Sequence, residues 1–408
     1  KMRGAALKLG QMLSIQDEAV VPPPLAKALE RVRRGADLMP THQLLRQLEA
    51  ELGEGWRGKF RVFDETPVAA ASIGQVHQGV LRDGRRVALK IQYPGVADSI
   101  DSDLSNLKTL VTLTNILPPG LFIDEIIEVG KEELKAECDY RAELRNQRRF
   151  KALVEGDAGL APHFVVPGVV PELSSQQVLT SEFVEGVPID QALGFPQEVR
   201  DALARQVLTL TIKELFEWNF MQTDPNWGNF LYDHTTGRTA LIDFGASRAY
   251  DQSFVDGYLT LVWSAAEQDT DTMLRVSQEL GFLTGAESRA MVEAHTRSGL
   301  VVGEPFVSDA PFDFQGSQIT RRLREYGDTF MKHRLTPPPR EAYSLHRKLA
   351  GAFLMCIKLR AVIPCRDILK KTVDSYQFGD RKYIKNTTTS VAEQQQMMQV
   401  ASSSSTKP

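Results

Sequence analysis

Residues Gln222–Gly245 read QTDPNWGNFLYDHTTGRTALIDFG, and the rest of the chain is interpreted around this stretch. Thr239-Ala240-Leu241-Ile242 is a short apolar run with the texture of a buried strand, and it ends on Asp243. Asp224 and Asn229 flank a short loop ahead of it. Two carboxylates and one amide are thereby expected at the end of a single hairpin. That set is the minimum for holding magnesium and a phosphoryl group. One carboxylate orients an attacking hydroxyl or water, the amide takes one metal, and the second carboxylate takes the bridging metal. Carboxylate and amide oxygens suit magnesium because it is a hard cation.

The spacing fits the kinase pattern of His-Arg-Asp, four residues, Asn, then Asp-Phe-Gly. Gln222-Thr223 stands here in place of His-Arg. Asp-Phe-Gly alone is a weak signal, and the alternative is a hairpin with incidental acids. Both halves at this spacing point to the site.

Upstream, Phe63–Val68 is extended, and Ala69-Ala70-Ala71-Ser72 leads into Ile73–Gly79. Asp83-Gly84 is a hairpin signal, and Val87-Ala88-Leu89-Lys90-Ile91 follows as a strand. Strand, small-residue loop, strand, turn, and a strand bearing a lysine is how a nucleotide-binding lobe opens. Small residues let backbone N–H groups approach phosphate oxygens. Alanine restricts the backbone more than glycine, so a stiff loop, with a shifted nucleotide preference or slower phosphoryl transfer, is expected. Lys90 is the candidate phosphate clamp; the alternative is an exposed strand-end lysine.

Such a lysine needs a helical glutamate. Glu132–Phe150 reads as one strong helix, with Glu137 and Glu143 as candidates. Glu143 is the favoured partner of Lys90, leaving Glu137 and Asp139 to face something else. Val178–Val184 reads as a strand passing between lobes, with the backbone of Ser181, Glu182, Phe183 and Val184 meeting an adenine edge. Residues 197–220 form a helix entering the catalytic loop. After Gly245 helical texture resumes near Ser253, and no Ala-Pro-Glu follows. The segment on which a peptide substrate would lie is nearly missing.

The chain has 408 residues, 42% hydrophobic and 25% charged, with a net charge of −4. This is ordinary globular composition, with no global basic field to attract nucleic acid. Cys138, Cys356 and Cys365 are scattered, making neither a metal knuckle nor a disulfide framework. No apolar run reaches membrane-spanning length. The chain opens on Lys1 rather than Met, so any targeting peptide or anchor is expected outside it. Residues 1–16 read as a helix with Met2, Ala5, Leu9 and Met12 on its apolar face. By periodicity alone, Lys8 and Gln11 are simply wet. Pro22–Pro24 breaks the chain, and helices follow at 25–32 and 42–52. Residues 98–149 are helical with a break at Leu117–Gly120.

With these motifs in place the chain resembles the UbiB family of atypical kinases, in particular its mitochondrial coenzyme Q branch. Lys8-Leu9-Gly10-Gln11 matches the family's KxGQ motif, and Ala69–Ser72 its alanine-rich loop. Glu137-Cys138-Asp139 matches ExD, and Asp224, Asn229 and Asp243 match the catalytic and metal positions. The likeness covers Lys1 to about Gln377. It implies a functional role for Lys8, Gly10 and Gln11: their helix would fold over the active site, Lys8 meeting Glu137 and Asp139. It further implies ATP or ADP with Mg2+, ATPase activity, and association with lipids of the mitochondrial inner membrane. Partners would be coenzyme Q biosynthesis proteins, with a homodimer among the assemblies and no nucleic acid.

The expected fold class is α+β: two kinase-like lobes behind a helical N-terminal extension, the second lobe mostly helical. The boundaries are 1–62 for the extension, 63–184 and 185–378 for the lobes, and 379–408 for a disordered tail. An atypical Mg-ATP-dependent kinase or ATPase leads the functional readings. A nucleotide-sensing scaffold without chemistry and a conventional protein kinase are the alternatives.

Overall fold

The structure, a computed structural model, describes residues 39–113, 122–379 and 383. The helices expected over 1–16 and 25–32, the motif Lys8, Gly10, Gln11, the Leu117–Gly120 break and the tail from 385 lie outside the described residues.

Helix α1 (Thr41–Leu52) starts behind Pro40, and a short turn at Trp56–Lys59 leads into strand β1 (Phe60–Phe63). β2 (Ala69–Ala70), β3 (Gly74–Leu81) and β4 (Arg86–Gln92) follow. β3 and β4 pair antiparallel across the Asp83-Gly84 turn, where Gly84 has φ 90°. A left-handed backbone angle of that kind favours glycine. Next come α2 (Val96–Leu113), α3 (Ile123–Glu137), α4 (Tyr140–Gly156), β5 (Phe164–Val165) and β6 (Val178–Glu182). The first sheet runs β1-β3-β4-β6, with β2 on β3, so it begins at Phe60.

Alternation along β4 decides where Lys90 points. Val87, Leu89 and Ile91 are fully buried in a cluster with Leu44 and Leu48 of α1 and with Trp56. Successive strand residues face opposite ways, so Lys90 emerges on the other face, against α4. At the head of β3, a Cβ on Gly74 would lie 2.3 Å from the carbonyl oxygen of Ile91. Only glycine permits this approach of the two backbones.

The single helix expected from Glu132 to Phe150 is in fact two. The break falls at Cys138-Asp139, where Asp139 leaves helical geometry (φ −96°, ψ 87°) and its Oδ1 accepts from the Ala142 amide at 3.0 Å. Aspartate is a strong N-cap because its carboxylate satisfies an otherwise unpaired amide. Glu137 and Asp139 therefore straddle a junction instead of diverging along one helix.

The second lobe opens with β7 (Val187–Pro188) and α5 (Gln197–Phe216), then β8 (Phe220–Gln222), β9 (Phe230–Asp233), β10 (Arg238–Leu241) and β11 (Ser247–Ala249). Helices α6 (Gln252–Ala266), α7 (Thr270–Glu279) and α8 (Arg289–Gly303) follow. The remainder is β12 (Phe312–Asp313), α9 (Ile319–Arg324), α10 (Gly327–His333), α11 (Arg340–Lys358), β13 (Val362–Ile363) and α12 (Arg366–Ser375). Its small sheets are β5-β10-β9-β7, β8-β11 and β12-β13. α5 and α11 pack together in the largest apolar core, with Leu208, Leu215, Leu345 and Cys356 fully buried. Pro196 and Pro339 immediately precede these helices. Proline cannot donate the missing hydrogen bond and suits a helix start.

Candidate active site

The β9–β10 hairpin pairs Phe230 with Leu241 and Asp233 with Arg238. That register brings Asn229 beside Ile242, whose amide donates to the Asn229 carbonyl at 3.0 Å. Asp224 joins through its Oδ2, which accepts from the Asn229 side-chain amide at 3.1 Å. The amide nitrogen of Asn229 is thus committed to Asp224, and its remaining polar atom is an oxygen, the donor a hard cation takes. Thr223, just before Asp224, donates from its backbone and its hydroxyl to the Ala246 carbonyl at 3.2 and 2.7 Å. β8 and β11 add a short ladder, with Gln222 opposite Ser247. The loop bearing Asp224 and the turn bearing Asp243 are therefore fastened to each other.

Lys90 reaches this hairpin from the first lobe. Its Nζ lies 2.8 Å from Glu143 Oε1, 3.0 Å from Oε2, and 3.1 Å from Asp243 Oδ1. The same ammonium sits 5.2 Å from the centre of the buried Tyr140 ring. Glu143 is 2% exposed and also accepts from the Phe244 amide at 3.3 Å, whereas Asp243 is 35% exposed. Burial works against a charge on Lys90, but Asp243 and Glu143 overcome it and hold the amine well above the usual lysine range. Burial pushes Glu143 up to about 7, against the pull of Lys90. Burial also acts to raise Asp243, but Lys90 and the Gly245 amide outweigh it and hold the carboxyl below its ordinary value. Two acids in contact with one ammonium are thus driven apart in proton affinity. The more open of them keeps its negative charge.

Asp243 has φ 65°, a left-handed conformation uncommon outside glycine, asparagine and aspartate. Gln222 Nε2 donates to its carbonyl at 3.2 Å, and Asn146 Nδ2 donates to the Phe244 carbonyl at 3.2 Å. Gln222 in turn accepts from Lys348 at 3.2 Å, and Lys348 lies 3.3 Å from Glu214. A buried polar chain therefore runs from α5 and α11 to the backbone of Asp243. Burial pushes Glu214 up to about 7. Its folded value exceeds the ordinary 4.5, so its stabilising share is complete below that value and is lost as pH climbs through about 7. Glu214→Gln removes this titration. The unfolding midpoint of the variant, measured against the parent chain, should therefore improve from pH 5 to pH 8. A constant difference across that range would refute the assignment.

The alanine loop lies along the same lobe. Ala69 pairs with Val76 and Ala70 with Gln75, while the Ala71 amide donates to the Gly74 carbonyl at 2.9 Å. The Ser72 hydroxyl stands 3.5 Å from Glu137 Oε2, so the end of α3 adjoins this loop. Asp139 is occupied in capping α4. On the connecting strand, the Glu182 amide donates to the Gly168 carbonyl and the Phe183 amide to that of Arg86, at 2.8 and 2.9 Å. Ser181 Oγ donates to Gln147 at 3.2 Å. Among the described residues, the Val184 amide has no hydrogen-bond partner.

Chain and fold both match known proteins. Residues 31–277 match the ABC1 atypical kinase-like domain. The chain belongs to the UbiB family of atypical kinases. This makes it an enzyme of the kinase or ATPase type. It is 49% identical over 375 residues to the rat protein "Atypical kinase COQ8B, mitochondrial", covering 92% of this chain and 70% of that one. It is 47% identical over 384 residues to the Caenorhabditis elegans "Atypical kinase coq-8, mitochondrial", covering 93% of this chain but half of that protein. Among solved structures it resembles the complex of Rv3197 with erythromycin from Mycobacterium tuberculosis. The TM-score is 0.63 at 29% identity, over 89% of this chain and 90% of that one. The family's two-lobed kinase-like fold is the one described above.

Sequence reasoning passed over Arg347, Lys348, Glu133 and Tyr140. Arg347 is 1% exposed; its Nη2 donates to Glu133 at 2.7 Å and its Nε to the Thr223 carbonyl at 3.3 Å. One signal was available. Arg347 and Lys348 are adjacent cations in the middle of an otherwise apolar-faced helix. Long charged side chains are almost never fully buried unless paired.

Proposed function

We propose that this chain binds ATP or ADP with magnesium and cleaves or transfers the terminal phosphoryl group, in support of coenzyme Q biosynthesis. The observation that carries this reading is Lys90 held between Glu143 and Asp243 at 2.8 and 3.1 Å. That is the clamp geometry a kinase-like site requires before it can stabilise phosphate charge. The donor set fits the ion. Among the described residues, no group of three or more His, Cys, Asp or Glu gathers to hold a metal. Magnesium usually takes only one or two protein carboxylates and completes its shell with phosphates and water. Asn229 and Asp243 would hold it, and it would supply charge neutralisation at the phosphates.

In this reading Lys90 orients the phosphates and Glu143 keeps Lys90 aimed. Asp224, fixed by Asn229, orients the attacking hydroxyl or water and accepts its proton. Ala69–Ser72 covers the phosphates. The strand expected to reach Val184 stops at Glu182, and in the segment beyond it the Val184 amide remains available for the adenine edge. Residues 246–251 give a peptide little to lie on, which favours water or a small lipid-like acceptor over a protein. The complete set Lys90, Glu143, Asp224, Asn229 and Asp243 argues against an inert scaffold. The names of the relatives support a mitochondrial setting and coenzyme Q proteins as partners. Contact with inner-membrane lipids and homodimer formation belong to the same proposal. No described helix is long and apolar enough to cross a membrane. A closing role for Lys8, Gly10 and Gln11 over Glu137 and Asp139 is likewise proposed by family likeness.

Calorimetric titration of the chain with ATP and with ADP, with and without magnesium, tests the reading. Binding is expected to strengthen with magnesium, and Lys90→Met is expected to weaken it by about tenfold or more, some 1.4 kcal/mol. Equal binding by parent and Lys90→Met would remove the phosphate clamp from the argument. Labelled phosphate appearing on added proteins would restore a conventional protein kinase.

A further inference from the structure

The second lobe holds a partly open pocket of about 320 Å3 lined by α6, α8, α10 and α11. Close-packed interiors rarely leave voids much larger than a water molecule. This one is at the lower end of the range for small-molecule pockets, about 300–1,000 Å3. Its walls are mainly apolar, with Val262, Phe282, Val302 and Phe330 among them. His346 stacks on Phe282 with centroids 5.6 Å apart and leans on Tyr258 at 6.0 Å, yet keeps exposed surface. His346 lines the cavity, so that surface opens into it.

Polar atoms converge on the same walls. Ser298 Oγ, Tyr343 Oη and Arg334 Nε are buried and have no hydrogen-bond partner among the described residues. Buried polar atoms nearly always find a partner, and three residues that line one pocket each carry an unpaired one beneath its surface. The charge is one-sided. Arg334 has no ion-pairing acid among the described residues; its guanidinium lies 4.9 Å from the centre of the Phe330 ring and acts electrostatically on Tyr343, His295 and His346. His295 donates to or accepts from Ser277 Oγ at 2.8 Å, and burial pushes His295 down to about 4, so it remains neutral. The walls therefore offer one guanidinium, the phenols of Tyr258 and Tyr343, the Ser298 hydroxyl, two imidazoles and a large apolar volume.

We propose that this cavity binds an apolar monoanion: a carboxylate on an alkyl or alkyl-aryl body, its head against Arg334 and Tyr343. The volume is roughly twice that of the ~150 Å3 apolar cavity that accepts one benzene, which suits a medium-chain acid. The site is separate from the nucleotide proposal and stands or falls without it.

The probe is decanoate below its micellar concentration, with 1-decanol as the uncharged control, titrated calorimetrically into the full 408-residue chain. Decanoate is expected to bind and decanol to bind more weakly. Arg334→Met, which keeps apolar bulk and removes the charge, should weaken decanoate by about tenfold or more and leave decanol unchanged. Val302→Trp, which fills the cavity, should abolish both while leaving the unfolding midpoint at or above that of the parent. A diazirine-bearing decanoate provides a readout that needs no variant: labelled peptides should fall in α6, α8, α10 or α11. Absence of decanoate binding, equal binding of both probes with no effect of Arg334→Met, or labelling confined to other elements would each overturn the proposal.

Discussion

Asp243→Asn should reduce ATP turnover by about a hundredfold to a thousandfold, the scale at which removing one preorganised charge-stabilising group acts. The substitution is chosen to isolate chemistry from folding. Asparagine tolerates the left-handed backbone that Asp243 adopts at φ 65°. It also retains an oxygen able to accept from the Gly245 amide, which lies 3.2 Å from Asp243 Oδ1. Lys90 keeps its two contacts to Glu143. What disappears is the negative charge on the more open acid, the one that burial fails to neutralise. Steady-state ATP hydrolysis, paired with an unfolding scan, checks the claim. The expected result is an unchanged unfolding midpoint with turnover nearly gone. Hydrolysis at the parent rate would remove Asp243 from the chemistry and with it the metal assignment.

Arg347→Met should be the most destabilising of the substitutions considered. The guanidinium is 1% exposed and bridges Glu133 on α3 to the Thr223 carbonyl beside Asp224. Removing one partner of a buried pair costs about 3–5 kcal/mol, chiefly because the other charge loses its compensation. Denaturant unfolding should show a loss of that order. Where the variant remains folded, ATP turnover should also fall, since the loop carrying Asp224 loses an anchor. The double variant Arg347→Met/Glu133→Leu supplies the control. Replacing a whole buried pair with apolar groups is often neutral, so the double variant should recover much of the lost stability. Failure of Arg347→Met to lower stability by even about 1 kcal/mol would make the bridge ornamental, at the level expected of an exposed ion pair.

The sequence carried the local part of this site and missed the long-range part, for physical reasons. Asn229 and Asp243 flank one hairpin, with Asp224 in the loop just ahead of it, and a hairpin's register can be read from its turn and its alternation. Lys90 was readable because β4 alternates strictly, with Val87, Leu89 and Ile91 on its buried face. Glu143 followed from the chemistry of a lysine that needs an acid, and the contact is present at 2.8 Å. The cap at Asp139 was missed because helical periodicity continues on both sides of it, and only the carboxylate's turn back to Ala142 breaks the run. Arg347 and Lys348 were missed for another reason. Their partners Glu133, Glu214 and Gln222 lie more than a hundred positions upstream in the sequence, and no local pattern reports such a pairing. The cavity of the second lobe is less legible still. A void is a property of how helices fail to fill space, and its lining comes from residues that would otherwise pass as core.

The join between Gly245 and α6 has one more consequence. Enzymes that are switched on by modifying a loop need a length of chain able to swing between two poses. Residues 246–251 are tied down instead. Three of them, Ser247, Arg248 and Ala249, are laced to Gln222, Met221 and Phe220, and the Thr223 hydroxyl grips Ala246. A stretch fastened along that length is poorly suited to a switch of this kind.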